Sequence, residues 1–407
     1  MLIVGAGQAA VEVATTLRKG DEALPITMVG AESSLPYQRP PLSKQFLTGE
    51  MHSDGLALRP PAFYEQNDIT VLTGTNVTAV DLDKMSAGGV AVTDSGRELG
   101  FTDLVFATGA RARRLGVPGS DLAGVLYLRD LADASALRVA LERAKNVVVV
   151  GGGFIGLETA VVAAAAGKRT HVVEAGARLL GRVVAPVVSD FYRDAHSRRG
   201  VNVLLGAEVS GIEGARGVVT AVLLGDGTRL DADLVLVGIG AEARTELASR
   251  AGVHCQKGIV VDDLARTDRR GVFAAGDCTV QPHPGRIGEP HVRLESVQNA
   301  IDQARAAAAT VLGVECCQPT VPRFWSNQGD LRLQTVGFST GWDQLVVRGS
   351  LHDEKFSVLY FRDRELIAAD AVNLSADFAA CRIALVRGTA ITPEAAGTVP
   401  ELRALVA

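Results

Sequence analysis

The sequence has few cysteines and no cysteine pair of the spacing found in disulfide-reducing enzymes. Five cysteines occur in 407 residues, and none of them forms a C-x-x-C or C-x4-C pattern. An enzyme that exchanges electrons with disulfides needs a neighbouring dithiol, so the sequence excludes this class. Cys316 and Cys317 are adjacent, and the sequence indicates no role for them. We expect Cys278 to be a small buried residue.

An excess of positive charge is also missing. The chain has 41 basic and 46 acidic residues, a net charge of −5, whereas a nucleic-acid partner normally requires a basic imbalance. The sequence shows no secretory signal, and we therefore expect reduced thiols and a cytoplasmic location. The 44 glycines, with 47% hydrophobic and 21% charged residues, are typical of a glycine-rich α/β enzyme of two or three domains.

Two stretches of the chain share one pattern. Residues 146–166 (NVVVVGGGFIGLETAVVAAAA) and 1–17 (MLIVGAGQAAVEVATTL) each begin with an apolar β-branched run, turn at glycines and continue as a helix-forming segment. This is the strand, tight turn and helix of a dinucleotide-binding unit, in which the helix start binds pyrophosphate. The positions that fit G-x-G-x-x-G/A are Gly151, Gly153 and Gly156 in the later copy and Gly5, Gly7 and Ala10 in the earlier copy. Further candidate contacts in these turns are Ala9 and Ile155. The sequence therefore predicts two nucleotide sites.

Residues 146–166 also have the length of a membrane-spanning helix, with Glu158 as their only charge. Three consecutive glycines in the middle of the stretch argue against this alternative. Each glycine lowers helix propensity by about 1 kcal/mol, and the β-branched half of the stretch favours a strand. We therefore expect no membrane span here.

The strand after each glycine turn should end near an acid that accepts hydrogen bonds from ribose hydroxyls. Glu174 closes the predicted strand 170–174 (THVVE) and lies 18 residues beyond Gly156 (174 − 156 = 18). A carboxylate there would repel the 2′-phosphate of NADPH by roughly 3 to 4 kcal/mol at an effective dielectric constant near 20, so NADH is the expected cofactor. Arg178 is a candidate for the pyrophosphate. For the first site the candidate acid is Glu32, with a solvated turn residue as the alternative.

The stretch 35–44 (LPYQRPPLSK) places two prolines between cationic residues. Pro40 and Pro41 cannot continue a helix, so we expect an extended loop that holds Arg39 and Lys44 at defined positions. A rigid cationic loop that follows a nucleotide-binding strand would contact phosphate or a flavin ring. The alternative interpretation is a proline-rich connector without a binding role.

Later segments end buried strands in small-residue turns, where the backbone can pass close to a cofactor. They are 103–110 (DLVFATGA), with Thr108 and Gly109, 230–240 (LDADLVLVGIG), with Gly240, and 271–278 (GVFAAGDC), with Gly276 and Asp277. We expect the Asp277 carboxylate to lie over the first nucleotide site. Residues 292–300 (VRLESVQNA) open an alanine-rich helix, and residues 323–407 alternate strands with a helix near 375–386, an α+β pattern.

Seven segments of the chain carry a resemblance to a known family, and they occur in this order: GAGQAA, PYQRPPLSK, LVFATGA, VVVVGGGFIGLE, GVFAAGDC, VRLESVQNA and FWSNQ. By these segments the chain resembles the FAD-dependent NADH:ferredoxin reductases of bacterial oxygenase systems. The resemblance covers nearly the whole chain, and R-P-P-L-S-K and F-W-S-N-Q are its most specific segments. It implies an α/β fold class, with two Rossmann-like dinucleotide-binding domains in a glutathione-reductase-like arrangement and a C-terminal α+β domain. The implied boundaries are 1–112 and 241–318 for a split FAD-binding domain, 113–240 for the NAD-binding domain and 319–407 for the C-terminal domain.

The resemblance also implies which residues bind FAD. They are Gly5, Gly7, Ala9, Arg39, Lys44, Val77, Arg129, Asp277 and Val297, with Glu295, Ser296 and Trp325 as further candidates. Ala31 stands where the family has its ribose-binding acid, so that contact is lost, moved to Glu32 or replaced by water. Asn327 stands where the family usually has Asp. Trp325 would lie beside the flavin, on the face where a redox partner docks.

By the same resemblance, the protein passes electrons from NADH through FAD to a 2Fe-2S ferredoxin, without a metal of its own. The implied catalytic residues are Lys44, Glu158 and Trp325, with Lys44 and Glu158 near flavin N5 and the nicotinamide amide. Ferredoxins of this type are acidic, so basic residues should steer them. The candidates by position are Arg59, Arg305 and Arg332. Alternatives are a reductase of rubredoxin or of a small molecule such as monodehydroascorbate, or a non-catalytic protein that senses NADH and FAD.

Overall fold

The computed structural model describes residues 1–83, 87–283, 291–314 and 321–406, which divide into two compact units. The first unit consists of Met1–Gln38, Ser53–Arg111 and Ala241–Pro322. The second unit consists of Arg39–His52, Ala112–Gly240 and Arg323–Ala407. The short segment Arg39–His52 thus groups with the second unit, and the three-domain boundaries stay a prediction. Cys316 and Cys317 lie outside the described residues.

A five-stranded parallel sheet forms the centre of the first unit. In spatial order its strands are Val272–Ala274, Leu104–Phe106, Leu2–Val4, Ile26–Val29 and Ile69–Leu72. Apart from Thr27 and Thr70 they are short apolar runs, as expected for a parallel sheet that is covered on both faces. Helices Gln8–Gly20 and Val297–Val311 pack against each other through small residues, which allow close approach. The predicted first strand and the alanine-rich helix are confirmed.

Smaller elements complete the first unit. An antiparallel sheet consists of Val77–Leu82, Gly89–Thr93 and Glu98–Phe101. Another small sheet consists of Ile259–Val260, Thr279–Pro282 and His291–Val292. The remaining short strands and helices of this unit are Ala241–Ala243, Pro61–Gln66, Glu246–Arg250 and the 3-10 turn Ser53–Leu56. Strand Ala110–Ala112 begins in this unit and ends at Ala112, which belongs to the second unit.

A second five-stranded parallel sheet lies in the second unit. Its spatial order is Val201–Leu205, Arg169–Glu174, Asn146–Val150, Leu234–Val237 and Val125–Leu126. The helices of this region are Leu131–Arg143, Phe154–Ala165 and Pro186–Arg198. An antiparallel sheet of Val209–Ala215, Val218–Leu224 and Arg229–Asp231 accompanies them. The four buried valines of the central strand follow from the β-branched run that precedes the second glycine turn.

The C-terminal part of the second unit is an antiparallel sheet. Its order is Arg323–Gln328, Leu331–Gly337, Glu365–Val372, Lys355–Arg362 and Gln344–Ser350. The remaining elements are helices Ser375–Arg387 and Pro393–Thr398 and the 3-10 turn Leu402–Leu405. The edge strand Arg323–Gln328 packs against helix Phe154–Ala165, with the rings of Phe154 and Phe324 4.5 Å apart. This contact brings F-W-S-N-Q to the helix that begins at the second glycine turn.

A buried ion pair stabilises this C-terminal sheet. Arg348 donates to Asp377 Oδ2 at 3.0 Å, and the hydroxyl of Ser357 donates to the same oxygen at 2.6 Å. Arg348 also donates to the backbone oxygens of Val399 and Pro400 at 3.0 Å. The pair therefore holds the C-terminal segment against the sheet.

The expectation of an extended chain at the two prolines is wrong. Pro40–Ser43 forms a 3-10 turn, helix Gln45–Thr48 follows it, and Arg39 has helical dihedral angles (φ −79°, ψ −33°). Proline is tolerated in the first turn of a helix because the N–H that it lacks would have no partner there. The tight turn nevertheless holds Arg39 and Lys44 at its two ends.

In the described parts of the chain, no helix is both long and apolar enough to cross a bilayer. The stretch 146–166 is divided into strand Asn146–Val150 and helix Phe154–Ala165, as its glycines predicted. Within the same described residues, no three His, Cys, Asp or Glu side chains are grouped so that they could hold a metal ion.

Candidate functional site

The first glycine turn connects strand Leu2–Val4 to helix Gln8–Gly20. Gly5 has φ +129°, and a Cβ built there would lie 2.1 Å from the carbonyl oxygen of Ala107. Only glycine fits this position, because backbone passes where a side chain would be. Gly7 is the N-cap of the helix without a side-chain cap, and a Cβ there would meet no described atom within 4 Å. The helix start thus presents free N–H groups to open space, which fits a pyrophosphate.

The second glycine turn repeats this geometry. A Cβ on Gly151, where φ is +107°, would lie 2.5 Å from the carbonyl oxygen of Gly238. Gly153 is the uncapped N-cap of helix Phe154–Ala165, and the nearest described atom to its Cβ would be 3.9 Å away. A Cβ on Gly156 would lie 2.2 Å from the oxygen of Gly151, so this glycine lets the helix pack on the turn. The geometry of the second turn therefore also fits a pyrophosphate.

Substitution by alanine should have different effects at the two glycines of the first turn. Gly7→Ala should leave the folded chain stable but raise the dissociation constant of FAD about tenfold or more, because its methyl group occupies the open space that a pyrophosphate needs. Gly5→Ala should cost roughly 1 to 3 kcal/mol of folding free energy, because its methyl group meets backbone at a strained φ. Flavin titration and thermal unfolding of the flavin-free protein measure the two effects. Unchanged FAD affinity in Gly7→Ala would show that phosphate does not approach this turn.

Glu174 lies at the end of strand Arg169–Glu174, beside the second glycine turn. Its Oε2 accepts the backbone N–H of Gly152 at 2.6 Å, and its Oε1 accepts the N–H of Gly176 at 2.6 Å. These bonds orient the carboxylate at the turn, where the sequence placed a ribose-binding acid. The other candidate acid, Glu32, accepts a hydrogen bond from the hydroxyl of Tyr37.

The Arg178 guanidinium is engaged with its own loop. It donates to the backbone oxygens of Val184 and Gly181 at 2.6 Å and to the hydroxyl of Ser189 at 3.1 Å. These bonds order the segment between Glu174 and helix Pro186–Arg198. A contact between Arg178 and pyrophosphate stays a prediction and would require the side chain to give up some of these bonds.

Lys44 and Glu158 form a close ion pair. Lys44 Nζ lies 2.6 Å from Glu158 Oε2, and the exposed fractions of the two side chains are 15% and 3%. Lys44 also donates to the backbone oxygen of Pro40 at 3.1 Å. Glu158 belongs to the helix that begins at the second glycine turn, and Lys44 follows the 3-10 turn. The structure thus brings together two residues that are 114 positions apart (158 − 44 = 114).

Two serine hydroxyls complete the surroundings of the Glu158 carboxylate. Ser43 Oγ donates to Oε2 at 2.5 Å, and Ser326 Oγ donates to Oε1 at 2.6 Å. Both serines are buried, and sequence reasoning missed them. Strand alternation contained the signal, because Ser326 and Gln328 must lie on the face of the strand opposite to Trp325 and Asn327.

The outer face of that strand carries the residues implied by the resemblance. Trp325 is 37% exposed, and the side-chain oxygen of Asn327 is buried without a hydrogen-bond partner among the described residues. A buried acceptor without a donor is costly, so this atom fits a position that a bound group would complete.

Arg39 and Arg129, two predicted FAD contacts, lie side by side. Arg39 Nη1 donates to the backbone oxygen of Arg129 at 2.8 Å, and the N–H of Arg129 donates to Asp133 Oδ2 at 2.9 Å. Asp133 is part of a capping box with Asp130 at the start of helix Leu131–Arg143. Burial raises the pKa of Asp133. The capped helix therefore fixes the position of both arginines.

In the first unit, two side chains hold the predicted cofactor turns: Thr108, which was a candidate, and Gln303, which sequence reasoning missed. Gln303 Oε1 accepts the N–H of Gly276 at 2.8 Å and the hydroxyl of Thr279 at 2.9 Å. Thr108 Oγ1 donates to the backbone oxygen of Arg244 at 2.6 Å. Cys278 is fully buried, as expected, and burial raises the pKa of its thiol.

The other predicted cofactor contacts are placed as follows. Ser296 caps helix Val297–Val311 by accepting the N–H of Asn299 at 3.0 Å. Glu295 pairs with Arg293 at 2.8 Å. The side chains of Ala9, Ala10 and Val77 are buried. Asp277 is half-buried, and Ile155 is exposed. Positive φ angles occur at Gly109 (+67°), Gly240 (+106°) and Gly276 (+88°).

The candidate docking arginines differ in their surroundings. Arg305 pairs with Glu12 at 2.7 Å, so its charge is largely balanced. Arg59 lies over the ring of Phe63, 5.5 Å from the centroid. Arg332 is exposed on strand Leu331–Gly337. Arg59 and Arg332 are therefore the stronger candidates for attracting an acidic partner.

Comparisons with known proteins agree with this geometry. Residues 1–304 match the family model described as pyridine nucleotide-disulphide oxidoreductase, and residues 323–406 match the model described as reductase C-terminal. A ferredoxin–NAD(P)+ reductase of Sphingomonas sp is 41% identical over 378 residues, which cover 93% of this chain and 90% of that protein. A rubredoxin–NAD+ reductase of Pseudomonas putida is 39% identical over 374 residues, with coverages of 92% and 96%.

A solved structure matches over the entire chain. The crystal structure of the ferredoxin reductase for the CYP199A2 system from Rhodopseudomonas palustris has a TM-score of 0.94 and 39% identity, and the match covers 100% of this chain and 99% of that chain. The predicted fold class, with two parallel sheets at glycine turns and a C-terminal α+β part, is confirmed. With two open pyrophosphate cradles and these matches along its length, the chain belongs to the pyridine nucleotide-disulphide oxidoreductase family and is an oxidoreductase that uses FAD and NAD(P)H.

Proposed function

We propose that the protein is an NADH-dependent ferredoxin reductase, which passes electrons through FAD to a 2Fe-2S ferredoxin that feeds an oxygenase. One observation carries this proposal: the chain has two open glycine turns but no C-x-x-C or C-x4-C cysteine pair. Electrons that enter from NADH therefore have no dithiol to pass through and must leave to a separate acceptor. The Sphingomonas relative, a ferredoxin reductase by name, supports an iron–sulfur protein as that acceptor.

The residues of the chain bind and orient the two cofactors. The turn at Gly5 and Gly7 binds the FAD pyrophosphate, and the turn at Gly151 and Gly153 binds that of NADH. Glu174 accepts hydrogen bonds from ribose hydroxyls and disfavours a 2′-phosphate. Bound FAD would supply uptake of a hydride from NADH and release of single electrons, which suits a one-electron acceptor.

Lys44 and Glu158 are proposed as the polar pair that orients the flavin ring and the nicotinamide amide. Their ion pair supports this role, because a cation with one strong partner is held in a single position. The Lys44 ammonium can balance the negative charge that reduction adds to the flavin. Trp325, which is exposed, is proposed to lie where the redox partner docks.

Anaerobic mixing with NADH and a 2Fe-2S ferredoxin tests the proposed function. We expect the flavin absorbance to bleach after NADH is added, and each NADH then to reduce two ferredoxin molecules by one electron each. Spectra of the flavin and of the iron–sulfur cluster follow the two steps. Bleached flavin beside a ferredoxin that stays oxidised would disprove the acceptor, and a protein that takes up no flavin would disprove the function as a whole.

Salt concentration should affect the rates of the two half-reactions, flavin reduction and ferredoxin reduction, differently. Raising the ionic strength from about 0.05 to 0.5 M should slow ferredoxin reduction severalfold, because it screens attraction between basic residues and an acidic partner. The rate of flavin reduction by NADH should not change. Arg332→Glu should slow ferredoxin reduction at low salt more than Arg305→Glu, since Arg305 is paired with Glu12. Equal salt dependence of both half-reactions would contradict electrostatic steering.

Rubredoxin is the second candidate acceptor, and the Pseudomonas putida relative supports it. Both acceptors take one electron at a time, so the cofactor sites do not distinguish them. Comparing kcat/KM for a 2Fe-2S ferredoxin and for a rubredoxin decides between the two. We expect the ferredoxin value to be the larger.

A cytoplasmic location is part of the proposal. Cys255, Cys278 and Cys381 are free thiols, which a reducing compartment favours. Fractionation of cells that produce the protein, with the flavin absorbance as the marker, checks the location. Recovery of the flavoprotein in a periplasmic or membrane fraction would contradict it.

A further inference from the structure

A chain of buried polar side chains leads away from the Lys44–Glu158 pair, and the proposed function does not explain it. Ser326 Oγ lies 2.6 Å from Glu158 Oε1, Gln328 Nε2 lies 3.3 Å from Ser326 Oγ, and His196 Nε2 lies 2.7 Å from Gln328 Oε1. Ser326, Gln328 and His196 each have an exposed fraction of 0%. Side chains of this kind are rarely fully buried without a reason, because each loses its contacts with water.

The Glu158 carboxylate at one end of this chain determines which atom donates and which accepts in each of its hydrogen bonds. A carboxylate only accepts, so the Ser326 hydroxyl must donate its proton to Glu158. Ser326 Oγ must then accept from the amide nitrogen of Gln328, which turns the amide oxygen towards His196. That oxygen only accepts, so His196 carries a proton on Nε2. Burial lowers the pKa of His196, so its imidazole is neutral, and Nδ1 has no partner among the described residues.

We propose that His196, Gln328 and Ser326 form a one-directional chain of donors that holds the Glu158 carboxylate in place opposite Lys44. Ser326 is accordingly a positioning residue: it acts on the reaction through Glu158 and touches neither cofactor. The inference rests on the proposed role of Lys44 and Glu158. It adds that helix Pro186–Arg198 and strand Arg323–Gln328 determine where the Lys44 ammonium lies.

The test compares three serine variants of the FAD-loaded protein. Ser326→Ala should lower the limiting rate of flavin reduction about tenfold and leave the dissociation constant of NADH within about twofold, because it removes one charge-assisted hydrogen bond without touching either nucleotide turn. Ser326→Thr keeps the hydroxyl and should restore most of the rate. Ser357→Ala is the matched control: it removes a buried hydroxyl that donates to Asp377 at 2.6 Å, and it should leave the flavin reduction rate unchanged.

A second readout needs no turnover. In ¹⁵N NMR of histidine-labelled protein, the His196 resonances, assigned through their loss in His196→Phe, should show a proton on Nε2 in the wild type. In Ser326→Ala the Gln328 amide is free to turn, and the pattern should shift towards a mixture of tautomers. A wild-type proton on Nδ1, or a Ser326→Ala rate equal to that of the wild type, would overturn the proposal.

These outcomes are independent of the electron acceptor. Both readouts precede electron transfer to a ferredoxin, so a wild-type protein that NADH reduces but that reduces no ferredoxin would contradict the proposed function alone. If Ser326→Ala and Ser357→Ala lower the melting temperature equally but only Ser326→Ala slows flavin reduction, the effect comes from position and not from stability.

Discussion

Replacing Lys44 by methionine should destabilise the second unit and slow flavin reduction by NADH. The substitution leaves the Glu158 carboxylate, which is 3% exposed, without its cation, and breaking a buried pair in this way costs about 3 kcal/mol. It also removes the positive charge that we propose acts at the flavin, so the limiting rate should fall about a hundredfold. Denaturant unfolding measures the first effect and anaerobic stopped-flow absorbance measures the second.

Two further variants separate the effects on stability and on rate. Lys44→Met combined with Glu158→Gln removes both charges, so it should regain most of the lost stability while flavin reduction stays slow. Arg348→Met breaks the buried pair with Asp377 in the same unit, and it should lower stability without changing the rate. If Lys44→Met left both the rate of flavin reduction and the flavin potential unchanged, the proposed role of the pair would be wrong.

Replacing Glu174 by glutamine should relax the choice between NADH and NADPH. In the wild type, repulsion between the carboxylate and a 2′-phosphate should favour NADH by about a hundredfold, and this preference should fall to about tenfold or less in the variant. The amide keeps an oxygen that can accept the N–H of Gly152 or Gly176, so the turn should keep its shape. The ratio of kcat/KM for the two nucleotides is the measurement.

The chain offers a matched control for Glu174. Asp233 Oδ2 also accepts backbone N–H groups, from Lys145 and Asn146 at 2.9 and 2.8 Å, at the opposite ends of the strands of the same sheet. Asp233→Asn should therefore weaken a comparable anchor and leave the nucleotide preference unchanged. A wild-type protein that uses NADPH as well as NADH would show that Glu174 does not face the ribose.

Local sequence patterns predicted the structural features that depend on residues close together in the chain. The glycine turns, the strands before them and the acid Glu174 all follow from apolar runs and from positions that only glycine can occupy. The same reasoning failed at Pro40 and Pro41, because it excluded a helix interior but did not consider the first turn of a helix. Helix Pro186–Arg198 was missed although Pro186 lies in its first turn, a position where proline marks a helix start.

The chain by itself determined that there are two nucleotide turns, which of their residues must be glycine, and that no C-x-x-C or C-x4-C dithiol is present to relay the electrons. Only the tertiary structure decided what surrounds Glu158. Ser43, Ser326, Gln328 and His196 come from three distant segments, and no local pattern marks a serine as the donor to a buried carboxylate. The physical reason is that glycine geometry is a property of neighbouring backbone, whereas satisfying a buried charge depends on which segments the folded chain packs together.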